Sequence, residues 1–254
     1  MRRRAVLKML GVAALAACPL CAGQAVAAGK GGAQWSYKGA KGPEHWGDLD
    51  RAFSACSAGS QQSPVDLRDS TPAGLEEVQT FWRPFQLDIL NNGHTIQVNT
   101  GGGGFMVLEG RRFDLLQFHF HHPSEHTLYG ENFPMEVHFV HKSADGDLGV
   151  LGVFMAEGEE NPTINKIWRN VEVGGGSKRI EEFIEPNTLL PVDRAYFRYA
   201  GSLTTPPCSE VVNWAVMAQP ITASRRQIDA FGNLYPMNAR PVQGLNRRFI
   251  LGSF

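Results

Sequence analysis

Four of the chain's eight histidines fall within the ten residues Gln117 to His126, read as QFHFHHPSEH, and two more follow at His138 and His141. Imidazole is both a metal ligand and a proton carrier near neutral pH, so this density raises the question of whether several rings can meet at one point. If LLQFHFH forms a β-strand, its side chains alternate between faces. Gln117, His119 and His121 then share one face, and Phe118 and Phe120 take the other, where they can enter a core. The two imidazoles lie about 7 Å apart at the backbone, within reach of a single ion above the strand. In MEVHFVHK the same alternation places Glu136, His138 and Val140 together, with Met135, Val137, Phe139 and His141 opposite. Where the two strands neighbour each other, His138 joins His119 and His121. Three neutral imidazoles around one ion leave a fourth position open, the pattern of a catalytic zinc site rather than a closed structural one. Gln117 and Glu136 each precede a histidine by two residues on its own face, where they can accept the outer N–H of a ring and fix its tautomer. His45, His122, His126 and His141 read as structural, hydrogen-bonded histidines.

The elements that must position these groups are short. TIQVN, GFMVLEG, LLQFHFH, MEVHFVHK, LGVLGVFMA, AYFRYAGS and VVNWAVMAQPI alternate or are rich in β-formers, and NNG, ADGD and SLTTPP lie between them as turn signals. GGGG at residues 101–104 reads as a local loop. Helical patterning is weaker and confined to NPTINKIWRNV and TASRRQIDAF. No linker or repeat interrupts the chain after Trp35, so the pattern predicts one β-rich domain with a few peripheral helices. No stretch of 20 apolar residues is present there to span a membrane.

The first 28 residues differ from the rest: a basic start, an apolar middle and a small-residue end ending in AVA before Ala28. This is the pattern of a secretory signal peptide, with residues 29–254 as the mature domain, and RRRAVLK also resembles a twin-arginine export signal. A soluble exported, periplasmic form ranks ahead of a lipoprotein anchored at Cys18 in LAAC. Cleavage removes Arg2, Arg3, Arg4 and Lys8, leaving 20 of the 24 basic residues against all 25 acidic ones, a formal net charge of −5. Such a surface gives no reason to expect nucleic acid as a partner. Cys56 and Cys208 remain in the mature form, and in an oxidising compartment they read most simply as a disulfide.

Taken in order, GPEHW, QSPVDL, NNGHTIQV, QFHFH, PSEHT, MEVHFVH, LGVLGVF, GSLTTPPCSE and NARPVQ resemble the α-class carbonic anhydrases along the whole mature chain, from about Trp35 to Phe254. The resemblance implies a single domain built on a large, mostly antiparallel twisted sheet. It implies reversible hydration of carbon dioxide to bicarbonate and a proton, by attack of a zinc-bound hydroxide, with one zinc per chain held by His119, His121 and His138. Thr204 would accept a hydrogen bond from that hydroxide, and Glu125 would orient the threonine. Gln117, Glu136 and the Asn238 backbone would support the ligands, and His94 would carry the proton out. Val140, Val150, Leu203 and Trp214 would form the apolar wall that receives carbon dioxide, with Thr205 beside them. Cys56 and Cys208 match the disulfide of the secreted members. The animal members carry a longer segment after the second ligand, often beginning Trp-Gly; here His122 and Pro123 stand in a short loop, which resembles the bacterial branch.

Two other readings compete. His119, His121 and Glu125 satisfy the H-x-H-x3-E spacing of cupin metalloenzymes, but Phe113 and Asn132 occupy positions where that pattern wants glycine. A non-catalytic zinc-binding or scaffold protein of the same fold is the other. The sequence leaves the oligomeric state open.

Overall fold

The computed structural model describes residues 33–254. The expected signal peptide, its expected cleavage near Ala28 and the Cys18 alternative lie outside the described residues. Ten strands run in the order Gly176–Ile184, Phe85–Asn91, Ile96–Asn99, Arg111–His121, Met135–Lys142, Leu148–Glu157, Val212–Met217, Tyr196–Gly201, Leu251–Gly252 and Thr71–Pro72 across the main sheet. Neighbours are mostly antiparallel; Leu148–Glu157 pairs in parallel with both Val212–Met217 and Ile221–Ala223. VVNWAVMAQPI is therefore two strands rather than one. Pro220 cannot donate to a ladder, and the chain re-enters the sheet beyond it.

The central strands are buried on both faces, and each face has its own work. Phe118, Phe120, Phe139, Leu151 and Val153 are fully buried on one side, and the helices Pro162–Trp168 and Arg225–Leu234 pack there through Ile164, Ile167, Ile228 and Phe231. Both helices start where their caps say they should. Asn161 accepts from the backbone N–H groups of Thr163 and Ile164 ahead of Pro162, and Ser224 with Gln227 forms a capping box. The other side carries Val140, Val150, Phe154 and Trp214, and it is the side of the candidate ligands.

His141 shows why adjacent histidines on one strand have different fates. It is fully buried among the aromatic rings of the core, with Nε2 accepting from Trp82 Nε1 at 3.2 Å and Nδ1 donating to the Phe139 carbonyl at 3.0 Å. Burial pushes its pKa down to about 3. An unfolded chain protonates this ring near the ordinary value of 6.5, so the unfolded state binds more protons between the two values. Stability is therefore lost as pH falls from about 6.5 toward 3. Between pH 7 and pH 5 this one group is expected to remove about 2 kcal/mol, and His141→Gln should flatten the pH dependence of urea unfolding by about that amount. Equal slopes in both proteins would refute it.

Candidate active site

The register of two strands assembles the site. His138 pairs directly with His119, and Glu136 with His121. The candidate donor atoms of His119, His121 and His138 all lie within 4.8 Å of one another, with His121 and His138 buried and His119 half-buried. The outer nitrogen of each ring lies beside an acceptor. His119 Nδ1 lies 2.9 Å from Gln117 Oε1, and His121 Nδ1 lies 2.8 Å from the Asn238 carbonyl. Both partners accept only, so the proton sits on Nδ1 and the Nε2 lone pair is free. His138 is turned the other way: its Nε2 stands 2.8 Å from Glu136 Oε1, which leaves Nδ1 facing the cluster. Burial, and then the neighbouring imidazoles, hold the His119 pKa well below its ordinary value, and burial also lowers His121. Burial would lower His138 as well, but the Glu136 carboxylate outweighs it and raises that ring.

Glu136 is a buried knot. One oxygen also meets His126 Nδ1 at 2.8 Å, and the other accepts from the backbone N–H groups of Glu125 and His126. Burial alone would raise this carboxyl; attraction to His126 and His138 and hydrogen bonds with both rings hold it well below the carboxylate range. His126 Nε2 reaches the Tyr199 hydroxyl at 2.7 Å. Gly152 lies opposite His138, and a β-carbon there would come 2.9 Å from Glu136 Oε1. Because that carboxylate is pinned on both oxygens, Gly152→Ala is expected to displace it and weaken metal binding about 10- to 100-fold, the range for lost outer-shell partners. Competition with a chelator measures it, and an unchanged affinity would count against the knot.

Glu125 is fully buried. One oxygen accepts from the Arg240 backbone N–H at 2.8 Å, while Oε2 has no hydrogen-bond partner and lies 3.4 Å from His121 Nε2 and 3.8 Å from His138 Nδ1. No hydrogen bond joins Glu125 to Thr204 in this structure. Thr204 and Thr205 nevertheless line the same cavity of about 210 Å³ as the three imidazoles, together with Val140, Val150, Leu203 and Trp214. His94 stands on that cavity too. Gly93, at φ 85°, and the Asn92 side chain, which accepts from the His94 and Thr95 amides, shape its turn. The ring stacks on Trp35 with centroids 3.8 Å apart, and burial lowers its pKa. Among the other histidines, His122 Nδ1 lies 3.2 Å from the Pro236 carbonyl, but His45 is exposed in a short helical turn and its ring makes no hydrogen bond among the described residues. Reading His45 as hydrogen-bonded is thereby corrected.

The loop that carries Thr204 is held by covalent and polar ties. Cys208 is bonded to Cys56, and its carbonyl accepts from Gln62 Nε2 at 3.1 Å. The Cys56 carbonyl accepts from the buried guanidinium of Arg240, the residue whose amide holds Glu125. Sequence reasoning did not reach Arg240, nor Trp35, Tyr37, Leu116 and Lys142 on the cavity wall. Leu116 sits at an irregularity in the pairing with the Met135–Lys142 strand, where the simple alternation breaks. No helix among the described residues is long and apolar enough to cross a membrane.

Comparison with known proteins places this arrangement. A family model described as eukaryotic-type carbonic anhydrase matches residues 41–254. A carbonic anhydrase of Nostoc sp. is 43% identical over 260 residues, spanning 98% of this chain and 97% of the relative. One from Pectobacterium atrosepticum is 41% identical over 219 residues, spanning 85% and 90%. The solved α-carbonic anhydrase of Thermovibrio ammonificans, in complex with the inhibitor sulfanilamide, is 47% identical at a TM-score of 0.85, covering 87% of this chain and all of that one.

Proposed function

Because the chain belongs to the α-class, or eukaryotic-type, carbonic anhydrase family and is an enzyme of that class, we propose that it interconverts carbon dioxide and bicarbonate at a zinc ion held by His119 Nε2, His121 Nε2 and His138 Nδ1. The observation that carries this reading is the convergence of three ring nitrogens, two of them on rings whose opposite nitrogen is hydrogen-bonded and the third on His138, whose Nε2 lies 2.8 Å from the Glu136 carboxylate. The partnerless, buried Nε2 of His121 and Oε2 of Glu125 fit a cation at that point. When bound, zinc brings the pKa of a coordinated water to about 7, so that a nucleophile exists at neutral pH.

The chain's own residues do the rest. Gln117, the Asn238 carbonyl and Glu136 hold the rings in the tautomers that ligation needs. Glu125, fixed at one oxygen by the Arg240 amide, would offer its other oxygen to the Thr204 hydroxyl during turnover, leaving the threonine oxygen an acceptor facing the reacting group. Val140, Val150, Leu203 and Trp214 supply an apolar wall for a substrate with no charge or hydrogen-bond donor, and Thr205 borders it. Measuring zinc per chain together with carbon dioxide hydration, with and without a chelator, tests the whole reading. One zinc and chelator-sensitive hydration are expected; full zinc without hydration would point to a binding protein. The disulfide fits an exported protein, and we place the mature chain, residues 29–254, in the periplasm after removal of residues 1–28. N-terminal sequencing checks this, and a lipid-modified Cys18 would overturn it.

His94 is assigned the proton exit. Its ring nitrogen would accept a proton at the cavity and pass it to buffer, a role suited to imidazole, whose ordinary pKa lies close to that of a metal-bound water. In weak buffer His94→Ala is expected to lower kcat at least about tenfold while leaving kcat/KM nearly unchanged, because export follows the carbon dioxide step. Imidazole added as buffer should restore much of the rate. Loss of kcat/KM in step with kcat would remove His94 from the assignment.

A further inference from the structure

The strand Met135–Lys142 keeps a strict two-residue period past its ligand. His138, Val140 and Lys142 share one face, and Gly152, Val150 and Leu148 stand opposite them on the next strand without a break in register. Val140, Val150, Leu148 and Lys142 all line the cavity. At about 3.3 Å per residue, Lys142 begins about 13 Å along the strand from His138, at the outer end of the apolar wall. A lysine there can lay its methylenes along the wall and keep its ammonium in water. With the imidazoles neutral as ligands, Lys142 is, among the described residues, the one cavity-lining residue with a formal charge at neutral pH. Its ammonium makes no ion pair or hydrogen bond among the described residues. The acids nearest it in register and sequence, Asp114, Asp145 and Asp147, are within ion-pair distance of Arg112 or Arg111.

We infer that Lys142 is the anion-capture residue of this cavity: it draws small monoanions, bicarbonate among them, to the mouth and holds them on their way to and from the three imidazoles. The inference rests on the zinc-centred reading above. The mature chain carries an excess of acidic residues, which disfavours an approaching anion. Salt screens that field beyond about 8 Å, so a single cation at the mouth decides the local potential. Carbon dioxide is uncharged and gains nothing from it. The overall equilibrium constant ties kcat/KM in the two directions together, so Lys142 cannot favour one direction of turnover, and binding is the quantity that exposes it.

The test compares zinc-loaded wild type with Lys142→Met, Lys142→Glu and Lys142→Arg. Thiocyanate inhibition is measured, and 4-carboxybenzenesulfonamide and uncharged benzenesulfonamide are titrated by tryptophan fluorescence. Lys142→Met should weaken thiocyanate and the carboxylate probe about three- to tenfold and leave the uncharged probe within about twofold. Lys142→Glu should weaken the anions further, and Lys142→Arg should restore them. The difference should shrink as ionic strength rises from about 20 to about 500 mM. Equal losses for charged and uncharged probes, or no loss for the anions, would overturn the inference. Failure of either sulfonamide to bind the wild type would instead strike at the zinc site.

Discussion

His119→Ala should leave the protein folded and nearly free of zinc, with carbon dioxide hydration lowered at least about a thousandfold. His119 is the half-buried member of the trio and lines the cavity, on the strand face opposite Phe118 and Phe120, so its loss removes one donor nitrogen at the cavity wall and leaves the aromatic layer in place. Gln117→Ala separates ligation from support. It removes the acceptor 2.9 Å from His119 Nδ1 and keeps the donor nitrogen, so zinc affinity should fall only about 10- to 100-fold. Elemental analysis after dialysis, circular dichroism and a hydration assay suffice. A His119→Ala protein with one zinc and full activity would end the assignment.

Reduction of the Cys56–Cys208 bond should cost about 5 kcal/mol of unfolding free energy, the chain-entropy value for a loop of this length; the sequence separation is 152. More than unfolded-state entropy is at stake. The bridge sits in a small cluster with Trp46, flanked by Trp35, Tyr37, Leu49 and Phe53, and touches the loop of Thr204 at one end and the anchor of Glu125 at the other. Urea unfolding of oxidised and reduced protein measures the loss. Activity at low denaturant should decline in the reduced form before tryptophan fluorescence reports unfolding. Coincident midpoints for oxidised and reduced protein would dispose of the claim.

What could be read beforehand follows the range of the interaction. Alternation in QFHFH and MEVHFVHK needs only local geometry, and the strand bounds Met135–Lys142 coincide with the segment read from sequence. Phe85–Asn91 carries an equally regular buried and half-buried alternation but a weak sequence signal, because Gln86 and Asp88 dilute its apolar character. Gly176–Ile184 is an exposed edge strand whose lysine, arginine and glutamates give no apolar alternation to read; such charges are what keep an edge from pairing with other chains. The pairing of His138 with His119 is a register, and no local pattern contains a register. Asn238 and Arg240 contribute a carbonyl and an amide, groups every residue has, so their roles are invisible in side-chain chemistry. For Asn238 the family resemblance pointed to the position; for Arg240 nothing did.

Asn238 accepts from the His122 amide, donates to the carbonyls of His94 and Phe120, and offers its own carbonyl to His121. Together with the Arg240 amide on Glu125, this means that the site is completed about a hundred residues after its last candidate ligand. The candidate ligands, with Gln117 and Glu136 beside them, have all been synthesised once His138 is made, yet the carbonyl that fixes the His121 tautomer and the amide that aims Glu125 come only with residues 238 and 240. A ribosome-bound chain that has not yet exposed residue 240 has the histidines but not the site. Metal selection in this protein is therefore a property of the finished chain, and one stalled or truncated before Asn238 should compete poorly for zinc however many of its imidazoles are free.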